Sequence, residues 1–109
     1  MIDITIYENR EQEYTAFQCL GHAGYAPAGE DIVCAAVSAL VINTINSIET
    51  LVSDAFDMET DQDSGQIDFS LREGYSKESL LLIRSLVLGL QGIQNSYGND
   101  YIMLTFKEV

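Results

Sequence analysis

The sequence predicts an α+β sandwich: one five-stranded, mixed but mostly antiparallel sheet with two helices packed on one face, in the order ββαββαβ. Three observations carry that expectation. Five short segments alternate apolar and polar residues with the period of a strand. Two long segments repeat apolar residues with the period of a helix. Two pairs of strands are joined by short polar turns, which gives hairpins and antiparallel pairing. The chain has 109 residues, 47% of them hydrophobic. That is enough for one domain, 1–109, burying roughly 60–70% of its unfolded surface, and leaves no length for a separate cofactor domain.

Taken in order, residues 2–7 alternate around Ile2, Ile4 and Ile6 and read as a strand. Residues 8–13 are a polar turn, and residues 14–20 form its hairpin partner. Residues 21–30 hold three of the eight glycines and the only proline, and read as a loop. Asp31 is the expected N-cap of a first helix running to about residue 53. One stripe of it carries Cys34, Ser38, Val41, Ile45, Ile48 and Val52, flanked by Val33, Val37, Leu40 and Leu51. Residues 55–60 and 66–71 alternate apolar with acid around a turn at residues 61–65, a hairpin with one wet face. A second helix is expected over residues 76–97, with Ile83, Leu86, Val87, Leu90 and Tyr97 as its main stripe. Residues 100–107 close the chain as a last strand.

Five Lys and Arg against seventeen Asp and Glu give a net charge of −12. Such a chain repels phosphate backbones, so no direct nucleic-acid partner is expected, whereas a basic protein or peptide is met by an attractive field. The acidity also serves plain solubility. No apolar run is expected to reach the ~20 residues of a membrane span, and residues 1–5 do not look like a secretion leader. Two cysteines with one histidine at no zinc-finger spacing suggest free thiols in a reducing cytosol, with no metal and no cofactor. The acids at positions 54, 57, 59, 61, 63 and 68 form a solvated face that could also attract a basic tail.

The chemistry concentrates between Gly21 and Ser38. His22 is the chain's single histidine and Cys34 follows twelve residues later. With Asp31 as cap, Cys34 falls in the first helical turn, where unpaired N–H groups and the positive dipole end favour a thiolate. The glycine loop can fold His22 over that turn, giving a nucleophile with an adjacent base, and first-turn amides, that of Cys34 included, could hold an oxyanion. Asp31 either opposes the thiolate by its charge or orients the imidazole. Ser38, one turn below Cys34, either bonds near the site or back to the Cys34 carbonyl, the second being favoured. Gly24 and Gly29 are candidate hinges of a lid, and Tyr25 a candidate aromatic contact or a cover for the core. Cys19, on a strand at the parity of Phe17, is a structural thiol.

The run Gly21-His22-Ala23-Gly24, followed by Gly29-Glu30-Asp31-Ile32-Val33-Cys34-Ala35-Ala36-Val37-Ser38, resembles the signature of the ribosomal-processing cysteine protease (Prp) family, and length and element order agree over the whole chain. The resemblance implies a cytoplasmic cysteine endopeptidase that removes a short amino-terminal extension from the twenty-seventh large-subunit ribosomal protein, in support of ribosome assembly. It implies Cys34 as nucleophile, His22 as general base, and supporting roles for Gly21, Asp31 and Ser38. It also implies a substrate with aromatic residues just before the cut, a mobile loop, and a homodimer. Leu81 and Leu88, seven apart on the second helix with Ser85 and Gly92 on the same face, are the sequence's own hint of that interface. A non-catalytic peptide-binding module of ribosome assembly and a redox-sensing thiol protein are the competing readings.

Overall fold

The computed structural model describes the backbone of residues 1–21 and 28–109 and the side chains of residues 1–21 and 32–109. The elements are β1 (Ile2–Glu8), β2 (Tyr14–Leu20), α1 (Ala28–Ser47) continued by a π-helical turn (Ile48–Val52), β3 (Phe56–Asp61), β4 (Gln66–Leu71), α2 (Lys77–Tyr97) and β5 (Ile102–Glu108). They form one sheet in the order β3-β4-β2-β1-β5, antiparallel except for the parallel pair β1/β5. The predicted α+β class, the element order and the mixed sheet are all present.

The topology explains where a site can form. The helix α1 joins β2 to β3, which run in the same direction with β4 inserted between them. The helix α2 joins β4 to β5, again codirectional, across β2 and β1. These two crossovers move in opposite senses along the sheet from strands of opposite direction. The right-handed preference for such connections therefore places both helices on the same face. On that face Ile4, Ile6, Phe17, Phe69, Ile83, Leu90 and Ile102 are almost wholly removed from solvent. Phe17 and Phe69 stack across β2 and β4 with ring centroids 4.9 Å apart. The other face is left without a helix and carries Thr5, Gln18, Asp68 and Glu59 in one cross-strand row.

Three local devices fix the frame. Asn9 organises the β1–β2 turn: its Oδ1 accepts from the Glu11 and Glu13 amides at 3.0 and 2.9 Å, while its Nδ2 donates to Glu13 and Tyr75. Asp54, just ahead of β3, takes three hydrogen bonds on Oδ2, from the Ser76 amide, the Ser76 hydroxyl and the Ser79 hydroxyl, at 2.6–2.7 Å. The Ser79 hydroxyl foremost, then the Ser76 amide and hydroxyl, hold its carboxyl below the ordinary aspartate range. Ser76 is thereby fixed as the N-cap of α2. Gly89 lets α2 approach α1: a Cβ there would lie 2.9 Å from Leu40 Cδ1.

Several sequence expectations are corrected. The first helix begins at Ala28, three residues before Asp31, so Asp31 lies inside the first turn and is not the cap. Helix-forming Ala28 and the acid Glu30, which suits the positive dipole end, extend the helix backwards. The buried stripe of α1 is Val33, Val37, Val41, Thr44, Ile45 and Ile48. It is turned by one residue from the expected one, because the wholly apolar Val33 and Val37 sink deeper than Cys34 and Ser38. Leu51, expected at the flank of that stripe, is 78% exposed in the π-helical turn, and Tyr97 of α2 is also exposed. The span Ile32–Val52 is long and apolar enough to cross a membrane by length and composition, contrary to the expectation from apolar runs, and here one stripe of it forms the core.

Candidate active site

β2 and β3 run in the same direction, so the carboxyl ends of both, the start of α1 and the β3–β4 turn lie at one end of the sheet. Gly21 marks this convergence. Its N–H donates to the Ser64 carbonyl in the β3–β4 turn at 3.2 Å. Its φ is +96°, and a Cβ would stand 2.5 Å from the Met1 carbonyl oxygen. Only glycine fits that backbone. The chain therefore leaves β2 toward His22 from a point pinned on both sides.

At this end a cleft of about 350 Å³ opens between α1 and the β3–β4 hairpin. Cys34 and Ser38 stand on its helix side, Gly21 at its end, and Thr60, Asp61, Gln62, Gln66 and Ile67 on its hairpin side. Cys34 is half-buried at the margin of the α1 stripe, packed against the core yet open to the cleft. A second hollow of about 210 Å³ continues along α1 past Ile42, Ile45, Met58 and Ile67. Ile42, Thr60 and Ile67 line both, so the two make one groove with an apolar floor and Asp61 at its rim.

The earlier start of α1 changes the electrostatics expected at the sulfur. Cys34 is the seventh residue of the helix, one turn beyond residues 28–31, whose amides have no partner within the helix. Its own N–H faces the helical ladder rather than the helix start where an oxyanion donor was expected. Of the side-chain amides in the cleft, Gln66 Nε2 donates to Asp68, and Gln62 is exposed beside it.

Of the predicted site residues, Gly21, Cys34 and Ser38 come together in the cleft. Ser38 is exposed there; bonding back to a helix carbonyl is seen instead at Thr44, whose hydroxyl donates to Leu40 O at 2.8 Å. Gly29, expected as a loop hinge, is the second residue of α1. His22, Gly24 and Tyr25, and the Asp31 side chain, lie outside the described residues. Among the described residues no group of three or more His, Cys, Asp or Glu side chains could hold a metal ion. Cys19 is buried on β2, and burial first, then the Asp68 charge, pushes its thiol up to about 12. Sequence reading missed Ile42 on the helix side of the groove and its hairpin wall, Thr60, Gln62 and Ile67. The only signal for it was the turn at residues 61–65, whose approach to α1 depends on the crossover.

Residues 1–102 match the family described as Cysteine protease Prp. The chain belongs to this family. A protein named Ribosomal processing cysteine protease Prp from Staphylococcus aureus is 32% identical over 107 residues, covering 98% of this chain and all of that protein. Two solved structures of the S. aureus Prp protease, each 31% identical and covering 98% of this chain and all of theirs, superpose with TM-scores of 0.91 and 0.86. The first is described as a complex with a substrate peptide and the second with a covalently linked product peptide. This Prp-family chain is accordingly a cysteine protease.

Proposed function

We propose that this chain is a cytoplasmic endopeptidase that removes the short amino-terminal extension of the twenty-seventh large-subunit ribosomal protein, with Cys34 as nucleophile and His22 as general base. The observation that carries the assignment of the nucleophile is the contrast in access between the two thiols. Cys34 opens on the groove, while Cys19 is sealed in the sheet core.

In the reaction the Cys34 sulfur adds to the scissile carbonyl while His22 takes the thiol proton. The tetrahedral adduct collapses to a thioester as His22 returns that proton to the leaving amine. Water, deprotonated by His22, then releases the acid product. Gly21, the residue that precedes His22 in the chain, lies at the end of the cleft. The apolar floor formed by Ile42, Ile45, Met58 and Ile67 suits apolar or aromatic residues near the cut, and the net charge of −12 suits a basic ribosomal protein. No step calls for a cofactor.

The chain acts as a homodimer in this proposal. Leu81 and Leu88 on α2 are 63% and 71% exposed and lie on one helical face with Ser85. Two of the chain's five cations, Lys77 and Arg84, border the same region. A −12 molecule therefore meets its copy there with the least repulsion. Leu88→Asp should halve the mass in solution, and an unchanged dimer mass would remove this face from consideration.

The test of the function is incubation of the purified ribosomal precursor with the parent chain, Cys34→Ala and His22→Ala, read by intact mass. The parent should yield the trimmed protein and both variants the intact one. Trimming at the parental rate by either variant overturns that residue's assignment.

A further inference from the structure

We infer that the substrate is captured as an added strand on the free edge of β3, so that main-chain hydrogen bonds to Phe56, Met58 and Thr60 deliver the scissile bond to Cys34. This rests on the peptidase reading above and specifies how the peptide backbone is held.

Among the described residues the strand β3 is terminal in the sheet and pairs only with β4. Its free hydrogen-bonding groups can be assigned by parity. The Arg72 amide donates to the Ala55 carbonyl at 3.0 Å, and the same register continues without a shift through Phe56↔Leu71 to Asp61↔Gln66. Bonded pairs alternate in an antiparallel ladder. Asp57, Glu59 and Asp61 therefore bond to β4, and the N–H and C=O groups of Phe56, Met58 and Thr60 point away from it. An exposed row of this kind is a template for an extended chain.

Three features make the occupant a substrate rather than any other strand. First, the edge is continuous with the site: Thr60 and Asp61 line the Cys34 cleft, and Met58 and Thr60 line the hollow that extends it. The other edge strand, β5, has no part in either. Second, Phe56, Met58 and Thr60 turn their side chains to the helix face, so alternate residues of an added strand would enter the groove beside Ile42 and Ile67. Met58 and Ile42 are 47% and 50% exposed, which leaves apolar surface there to be covered. Third, Asp57 and Glu59 stand on the opposite face, where the intervening residues of the added strand would lie, and Asp61 follows at the end of the strand beside the cleft. Asp57 is the one paired with a cation, Arg72, at 2.6 Å and in solvent. The row repels a second copy of the same edge and attracts lysine or arginine side chains. The occupant is thus an extended peptide with apolar residues toward the groove and basic residues on the other side.

Amide hydrogen exchange in Cys34→Ala tests this, with a synthetic peptide spanning the precursor's extension and cleavage site as the probe. Saturating peptide should slow exchange at Met58 and Thr60 by about tenfold or more, as expected for new main-chain hydrogen bonds. Asp57 and Glu59, already in the ladder, should change little. In the active chain, Met58→Pro removes one edge donor without breaking a bond to β4. It should lower kcat/KM on this peptide by about tenfold, and more than Met58→Ala, with modification of Cys34 by iodoacetamide unchanged. Unprotected edge amides in the peptide complex, or equal losses for the Pro and Ala variants, would overturn strand addition while leaving the peptidase intact. Failure of the parent chain to cut the peptide overturns the reading beneath it.

Discussion

The two cysteines sit fifteen positions apart and meet opposite fates. Cys19 lies on an inner strand between β1 and β4, opposite Ile4 and Ile67, where burial drives its thiol up to about 12. Cys34 lies on a helix, at the margin of the buried stripe, with the core on one side and the groove on the other. A position surrounded on all sides by packed carbon disfavours an ion and excludes a substrate. A position at the rim of the same core is held rigidly yet can be reached. Reactivity in this fold is a matter of which side of the core boundary a sulfur occupies.

The largest expected effect that could break the comparison is on activity. Cys34→Ala should lower peptide cleavage by at least about 10⁴-fold, as removal of a nucleophile does elsewhere. Cys19→Ala should leave kcat/KM nearly unchanged and cost about 1–2 kcal/mol of stability in denaturant melts. A comparable activity loss in the two variants would show that the thiols are not separated as described.

Chemical labelling sharpens the same contrast. Because burial raises its pKa, Cys19 stays protonated at pH 7 and is out of reach of the reagent. Iodoacetamide should therefore modify Cys34 in the native chain and reach Cys19 only on unfolding. Mass spectrometry of tryptic peptides distinguishes the sites, and modification of Cys19 under native conditions would contradict its burial.

Gly21→Ala probes the frame that carries the chain toward His22. The added Cβ meets the Met1 carbonyl at 2.5 Å in a left-handed conformation. A loss of about 1–3 kcal/mol is expected, seen as a lower Tm. Cleavage should fall further than the folded fraction does, because Gly21 lines the end of the cleft that holds Cys34. Full activity per folded molecule would detach Gly21 from the site.

The smallest effect lies away from both thiols, at Asp54. Its lowered pKa contributes stability above the ordinary aspartate value of ~3.9, lost as pH falls through the folded-state value. Asp54→Asn should lower Tm at pH 7, and the difference from the parent should shrink below about pH 4. The preference for labelling Cys34 over Cys19 should be unaffected. A Tm difference independent of pH would show that the carboxylate charge is not what holds the start of α2.

Much of the fold was legible because strand and helix periods are written locally. The bounds of β2, 14–20, and of β4, 66–71, agree with the sequence reading residue for residue, and the second helix differs by one residue at its start. The start of the first helix was misplaced because Asp31 has the chemistry of a cap, while a cap is defined by the backbone conformation of its neighbours. The site was legible on one wall only. The motif around Cys34 is contiguous, so Cys34, Ser38 and Gly21 could be named together. Ile42, Thr60, Gln62 and Ile67 are brought to the same groove from three elements, and no local pattern links them.

The sequence by itself determined the number and type of elements, the acidity that favours a basic partner, and the presence of a thiol in a family signature. These follow from side-chain chemistry and from periodicity within a few turns of chain. Only the tertiary structure decided that the α1 stripe turns to leave Cys34 at the core's edge, and that the β3–β4 hairpin supplies the facing wall. It also decided that β3, which helps to line the Cys34 cleft, ends the sheet. Those outcomes depend on packing between segments distant in sequence, where burial of Val33 and Val37 and the handedness of two crossovers outweigh any local preference.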